Sequence, residues 1–253
     1  MLWYKAWLET RWRFLIGLAV LLVLACGAVF EYPSIARLNA SVSAIDAPGN
    51  LGRLIREAAE TQRTYRGFIW FQWYRQNLVQ MWTILAVLLG SGGLLASSSG
   101  GALFALSMPA SRTRIAGVRA ATALMELLAL ALIPSLLIPL LSPAIGQHYG
   151  LGDAAVHSVS LFLAGSVFFS LAFLLSAVFD DFWRPMLITC AVALSQTLIG
   201  VLVGLPFSGM LRVMSAESYF RAGEVPWVGL GLALTAGLLM LSAAVAVVER
   251  RDF

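Results

Sequence analysis

Six stretches of this chain are long and almost purely apolar, and nearly all of the charge lies between them. A helix that crosses a membrane needs about 20 mostly apolar residues. The pattern predicts spans at about 14–30, 81–97, 118–141, 156–179, 185–204 and 227–248. The expected fold class is all-α: a polytopic integral membrane protein with six transmembrane helices, forming a single transmembrane domain over residues 1–253. The first dozen residues add an amphipathic helix. At 100° per residue Trp3, Tyr4, Trp7, Leu8 and Trp12 share one broad face, while Lys5, Glu9 and Arg13 line the other, spaced for Glu9 to pair with Arg13. Such a helix is expected to lie in the headgroup plane before the chain turns into the first span.

The connections are uneven. Residues 31–80 form a long external loop in this reading, with a turn at Asp46-Ala47-Pro48-Gly49-Asn50 and a helical stretch from Leu51 to about Arg66. An aromatic-rich surface helix, Phe68-Ile69-Trp70-Phe71-Gln72-Trp73-Tyr74, then approaches the second span. Leu205–Pro226 is too polar to span and too apolar for a free loop, so a re-entrant or surface hairpin is expected before the last span. The tryptophans fit the same division. Trp3, Trp7, Trp12, Trp70, Trp73, Trp82, Trp183 and Trp227 all fall near expected span boundaries, where an interfacial aromatic belt would sit.

Composition supports the bilayer as solvent. The chain is 60% hydrophobic and 12% charged, against about 25% charged in soluble domains. The formal charge of +4 is almost wholly arginine and reports orientation, not a nucleic-acid partner. Lys5, Arg11, Arg13, Arg112, Arg114, Arg119, Arg184, Arg250 and Arg251 fall on one expected side. That asymmetry places both termini in the cytoplasm, although the long first loop carries six arginines of its own. The two cysteines, Cys26 and Cys190, lie inside apolar runs and form no metal-binding pattern.

Most catalytic chemistry is excluded. A P-loop needs a lysine after its glycine turn, and the only lysine is Lys5. Gly90-Ser91-Gly92-Gly93 contains a serine, but a nucleophile needs a base in reach, and His148 and His157 are expected at the other membrane surface. The glycines read as close-packing positions. His148, Asp153 and His157 match no strong ligand spacing and read as a solvated loop. Asp180-Asp181, followed by Trp183 and Arg184, reads as a tight cytosolic turn. Two polar residues fall inside spans, where charge costs about 2.5–3.5 kcal/mol. Glu126 lies seven residues after Arg119, on the same helix face, and either locks helices or serves coupling or conduction. Gln196, beside Ser195 and Thr197, either bonds across helices or lines a substrate path.

The basic segment Ser107-Met108-Pro109-Ala110-Ser111-Arg112-Thr113-Arg114, running on to Arg119, places three arginines within eight residues between two apolar runs. Lipid does not hold such a stretch, so it must protrude. Pro109 breaks the preceding helix, and Ser111 is placed to cap a new one. With the amphipathic start Trp3–Phe14, six spans, the polar hairpin and the Glu249-Arg250-Arg251-Asp252-Phe253 ending, this chain resembles the ABC-2 type permeases, the transmembrane subunits of type-2 ABC exporters. Its 107–114 segment is similar to the family's L-P-x-S-R-x-R element. The resemblance implies a cytosolic coupling segment at 102–119 that docks into a separate ATP-binding subunit. Ser107, Pro109, Ser111, Arg112, Arg114 and Arg119 would make the contact, with Asp181 and Arg184 as a smaller one. It implies no cofactor in this chain, with ATP and magnesium held by the partner. It also implies a second permease copy, as homodimer or heterodimer, in a prokaryotic inner membrane. The long first loop departs from compact members and leaves room for an external accessory protein. Two other readings stay open on the residues alone: a membrane-embedded enzyme acting on lipid or peptide, and a non-transporting anchor or sensor.

The N-terminus also looks like a secretory signal, and Val23-Leu24-Ala25-Cys26 like a lipoprotein cleavage box. The Trp-rich basic region and the five later spans argue for retention. Intact-mass measurement of the purified protein is expected to find residues 1–25 present and Cys26 free of lipid; loss of those residues with added lipid would overturn the six-span reading.

Overall fold

A computed structural model describes residues 2–42, 58–92, 111–179, 181–202 and 209–250. Among these, 90% are helical and none is in a strand. Helix α1 spans Leu2–Val42. A continuous helical rod follows, made of α2 (Tyr65–Ile69), a π-helical segment (Trp70–Leu78) and α3 (Val79–Gly90). Helix α4 covers Arg112–Leu141 and tightens into a 3-10 turn at Ser142–Ile145. Helices α5 (Leu151–Val178) and α6 (Trp183–Leu202) come next. Two short helices, α7 (Gly209–Met214) and α8 (Glu217–Ala222), precede α9 (Trp227–Arg250).

Among the described residues four helical stretches have the length and apolarity of membrane spans: Leu2–Arg37, Thr113–Ile145, Leu151–Val178 and Trp227–Arg250. The outward faces of α9, one of these four, and of α6 are apolar too. Leu187, Ile188, Leu194 and Leu198 of α6 and Val228, Leu232, Leu238 and Leu239 of α9 are exposed. An apolar surface this extensive suits lipid, not water. The ends of the expected second and fifth spans lie outside the described residues; α3 and α6 occupy the rest of those positions.

Helix α5 is central, packing against α3, α4, α6, α7 and α9. Its sequence explains this. Ala154, Ser158, Ala164, Gly165, Ala172 and Ser176 are small and buried, so neighbouring helices approach closely. A Cβ at Gly165 would overlap the six-membered ring of Trp82. A Cβ at Gly90 would lie 2.7 Å from the Phe169 carbonyl oxygen. Helix α1 uses a similar stripe. Ala6, Thr10, Leu21, Ala25, Ala28 and Val29 are buried at helical spacing, and the helix packs mainly along α4.

Three expectations are corrected. No turn separates the N-terminal amphipathic helix from the first span: α1 is one rod of 41 residues, roughly 60 Å at 1.5 Å per residue. Helix α1 runs on to Val42, into the expected external loop, and the aromatic-rich helix at 68–74 is not at the surface, since Phe68, Ile69, Trp70, Trp73 and Tyr74 are buried. Helical hydrogen bonding is internal to the backbone, so polar residues beyond the hydrocarbon layer need not end a helix. Third, the tryptophans do not all form a belt. Trp3, Trp7, Trp12, Trp183 and Trp227 are exposed, but Trp70, Trp73 and Trp82 are fully buried. Each buried indole N–H has found an acceptor: Ser215 O at 3.1 Å, Ser135 Oγ at 3.4 Å and Leu127 O at 2.9 Å respectively. A buried tryptophan requires such an acceptor, and only the fold provides it.

Gly165→Ala is expected to displace the Trp82 indole, strain its bond to Leu127 and cost about 1–3 kcal/mol. Thermal unfolding in detergent reads the loss. Because the two groups touch, the double variant G165A/W82F should lose less than the sum of the singles, and strict additivity would refute the contact.

Candidate functional site

The basic segment leads directly into α4. Ser107 and Pro109 lie outside the described residues. Ser111 has extended geometry (φ −61°, ψ 143°), and its Oγ accepts from the Arg114 N–H at 3.3 Å. Thr113 Oγ1 donates to the same oxygen at 3.1 Å. Ser111 therefore caps α4, satisfying an N–H that the first helical turn leaves unpaired. Arg112 opens the helix, and Arg114 is exposed one turn inside its start.

Arg119 turns inward. A Cβ at Gly92 would lie 2.8 Å from Arg119 Nη2 and 3.0 Å from Arg13 Nη1, so the two guanidinium groups converge on that glycine. Arg13 Nη1 donates to Leu88 O at 3.0 Å, near the negative end of α3. Its guanidinium also sits 5.2 Å from the Phe182 ring, tying α1 to the start of α6. Asp181 is committed locally. Its Oδ1 accepts from the Arg184 backbone N–H and its Oδ2 pairs with Arg184 Nε, both at 3.0 Å.

Glu126 is 5% exposed and bonded across helices. Thr10 Oγ1 of α1 donates to Glu126 Oε1 at 2.6 Å, while Oε2 has no hydrogen-bond partner among the described residues. Arg119 and Glu126 share a helix, yet Arg119 joins Arg13 and Gly92 whereas Glu126 holds Thr10. Gln196 lies half-buried on α6.

The opposite end of the bundle holds a cluster that sequence reasoning missed. His157 and Asp153 were expected in a solvated loop; both instead lie on α5, and His157 is 1% exposed. His148 is exposed. Asp153 accepts from Arg66 Nε at 3.0 Å and from the Tyr219 hydroxyl at 2.9 Å. The Tyr219 phenol is held above its ordinary pKa, first because ionisation would lose the bond to Asp153, then by burial. Trp70 stacks on Phe220 at 4.3 Å with the rings nearly parallel. Tyr65 OH and Ser142 Oγ are 2.7 Å apart. These contacts join the π-helical segment, the start of α5 and the α7–α8 pair. The turn between those short helices carries Ala216 in the left-handed region (φ 49°), which costs a non-glycine residue about 1–2 kcal/mol. The available signal was the aromatic run from Tyr65 to Tyr74 together with Tyr149, Tyr219 and Phe220; only the fold brings them together.

Among the described residues no group of three or more His, Cys, Asp or Glu side chains is placed to hold a metal. No protein-family model, no curated protein and no solved structure matches the chain.

Thr10→Val removes the only hydrogen bond Glu126 makes among the described side chains, and is expected to cost about 1–3 kcal/mol. Thr10→Ser should restore most of it. Unfolding midpoints of the two variants in detergent compare them directly; equal loss would show that the Thr10 methyl, not its hydroxyl, matters.

Proposed function

We propose that this chain is the membrane-spanning permease subunit of an ATP-driven exporter, moved by a separate ATP-binding subunit. The observation that carries the reading is a continuous mechanical element. The start of α4, where Ser111 and Arg114 are exposed, runs without a break into a helix of membrane-spanning length. Thirty residues of α4 amount to roughly 45 Å, so a push at Arg114 is delivered deep into the bundle. The Thr10–Glu126 bond and the contacts around Gly92 then pass it to α1 and α3. The sequence has no P-loop lysine of its own, so the hydrolysing machinery belongs to a partner.

In this reading Arg112 and Arg114 face acidic groups on the ATP-binding subunit, which holds ATP and magnesium. Two permease copies and two ATPases form the transporter, in a prokaryotic inner membrane with both permease termini cytoplasmic. ATP binding closes the ATPase pair, draws the two α4 starts together and tilts α4 with α1 toward an outward-open state. Arg119, turned into the bundle, acts as a fastener between α4 and α1, and the Asp181–Arg184 turn makes the smaller contact.

Co-purification from native membranes tests the reading. An ATP-binding protein is expected to accompany the wild-type chain, and the double reversal Arg112→Glu/Arg114→Glu to weaken that association by about tenfold or more, as losing a close charge pair does. Absence of any ATP-binding protein, together with unchanged assembly of the double variant, would refute it.

A further inference from the structure

At the far end of the bundle His157 Nε2 and the hydroxyl oxygens of Tyr74 and Tyr149 have no hydrogen-bond partner among the described residues; Arg212 Nε has none either, but it is ion-paired with Glu217 at 3.4 Å. His157, Tyr74 and Tyr149 are more than nine-tenths buried. They occupy one neighbourhood. The Tyr74 ring stacks on His157 at 4.5 Å and lies 6.3 Å from the Tyr149 ring. The Tyr74 hydroxyl lies beside Ser135 and Tyr149, and its contacts to both are weak ones that fall short of full hydrogen-bond geometry.

The hydrogen-bonding role of His157 follows from its other nitrogen. Nδ1 lies 3.1 Å from Ser215 O, and that carbonyl also receives the Trp70 Nε1 proton at 3.1 Å. A carbonyl only accepts, so Nδ1 carries the hydrogen, and Nε2 of the neutral ring offers a bare lone pair. Burial, reinforced by Tyr74 and the Asp153 carboxylate, holds the Tyr149 phenol well above its ordinary pKa, so it keeps a proton to donate. The neighbourhood therefore presents one acceptor and two hydroxyls. Buried polar groups left bare in one place are rare in native proteins and costly. The Asp153 carboxylate is bonded to Arg66 and Tyr219, and as an acceptor it offers nothing to the lone pair of Nε2.

We propose that His157 Nε2, Tyr74 and Tyr149 form a buried binding site for a single water molecule. Water donates to Nε2 and accepts from the two phenols, giving the three bonds usual for an internal water. Water is the smallest guest whose single oxygen donates once and accepts twice. The water fastens three separate stretches of chain: the π-helical segment, the connection before α5, and α5 itself. The inference does not depend on the export reading.

Thermal unfolding of the full chain in detergent distinguishes the cases by sign. If the water is present, Tyr149→Phe and Tyr74→Phe each remove one of its partners and should lower the melting temperature by about 2–4 °C. If the hydroxyls are truly bare, removing either should raise it. A direct bond between the phenols would couple Tyr74 and Tyr149 to each other but neither to His157. The water site instead predicts non-additive losses for all three pairs, with His157→Asn chosen to keep a donor for Ser215. A second readout is independent of folding cost. In a His148→Asn chain without a histidine tag, the ¹⁵N signal of Nε2 belongs to His157 alone, and it should report a hydrogen-bonded lone pair. A bare lone pair, a rise in melting temperature for Tyr149→Phe, or coupling confined to the two tyrosines would each overturn the proposal.

Discussion

The bundle depends on how closely α5 lets its neighbours approach. Between apolar helices in lipid the hydrophobic effect supplies no preference, since lipid tails are as apolar as leucine. Shape and a few buried hydrogen bonds must do the selecting. At Gly165 the missing side chain admits the six-membered ring of Trp82, and the indole N–H reaches past α5 to the Leu127 carbonyl of α4. One glycine, one tryptophan and one carbonyl thus set α3, α4 and α5 relative to each other. Gly90 against the Phe169 carbonyl, with Ser176 Oγ donating to Gly90 O at 3.3 Å, repeats the arrangement nearer the end of α3.

The two ends of this packed middle are built differently. At the N-terminal end, arginines from α1 and α4 gather at the close of α3, where the Leu88 carbonyl receives Arg13 and Arg119 lies beside Gly92. Among the described residues the Arg13 bond to Leu88 O is exposed, and exposed charges contribute little to stability. At the far end, rings and hydrogen bonds dominate. Trp70, Phe220, Tyr74 and His157 stack, while Asp153 collects Arg66 and Tyr219. That contrast suits a protein pushed at α4's start, as the proposed coupling requires.

The π-helical segment links these features. Nine residues of π-helix are unusual, because the wider turn is normally limited to a single bulge and is often found at functional positions. In this segment Trp70, Trp73 and Tyr74 all face inward, within reach of Ser215, Ser135 and His157.

What the sequence by itself determined was the helical class, the positions of the apolar runs and the Ser111 cap. These rest on local rules: apolar length, and a serine one residue before a helix. The glycines at 90–93 were also legible as packing positions, and Gly90 packs that way. Tertiary structure decided the rest. Hydropathy could not show that α1 continues to Val42, because helical hydrogen bonds do not depend on side-chain polarity. Nor could it separate belt tryptophans from core ones, since burial of Trp70, Trp73 and Trp82 turns on acceptors that are 145, 62 and 45 residues away in the chain. His157 looked like part of a polar loop because its neighbours Asp153 and His148 are polar; its burial comes from Tyr74 and Ser215, which only folding brings to it. Glu126 was visible as an intramembrane carboxyl, but its choice of Thr10 over Arg119 required the angle at which α1 crosses α4.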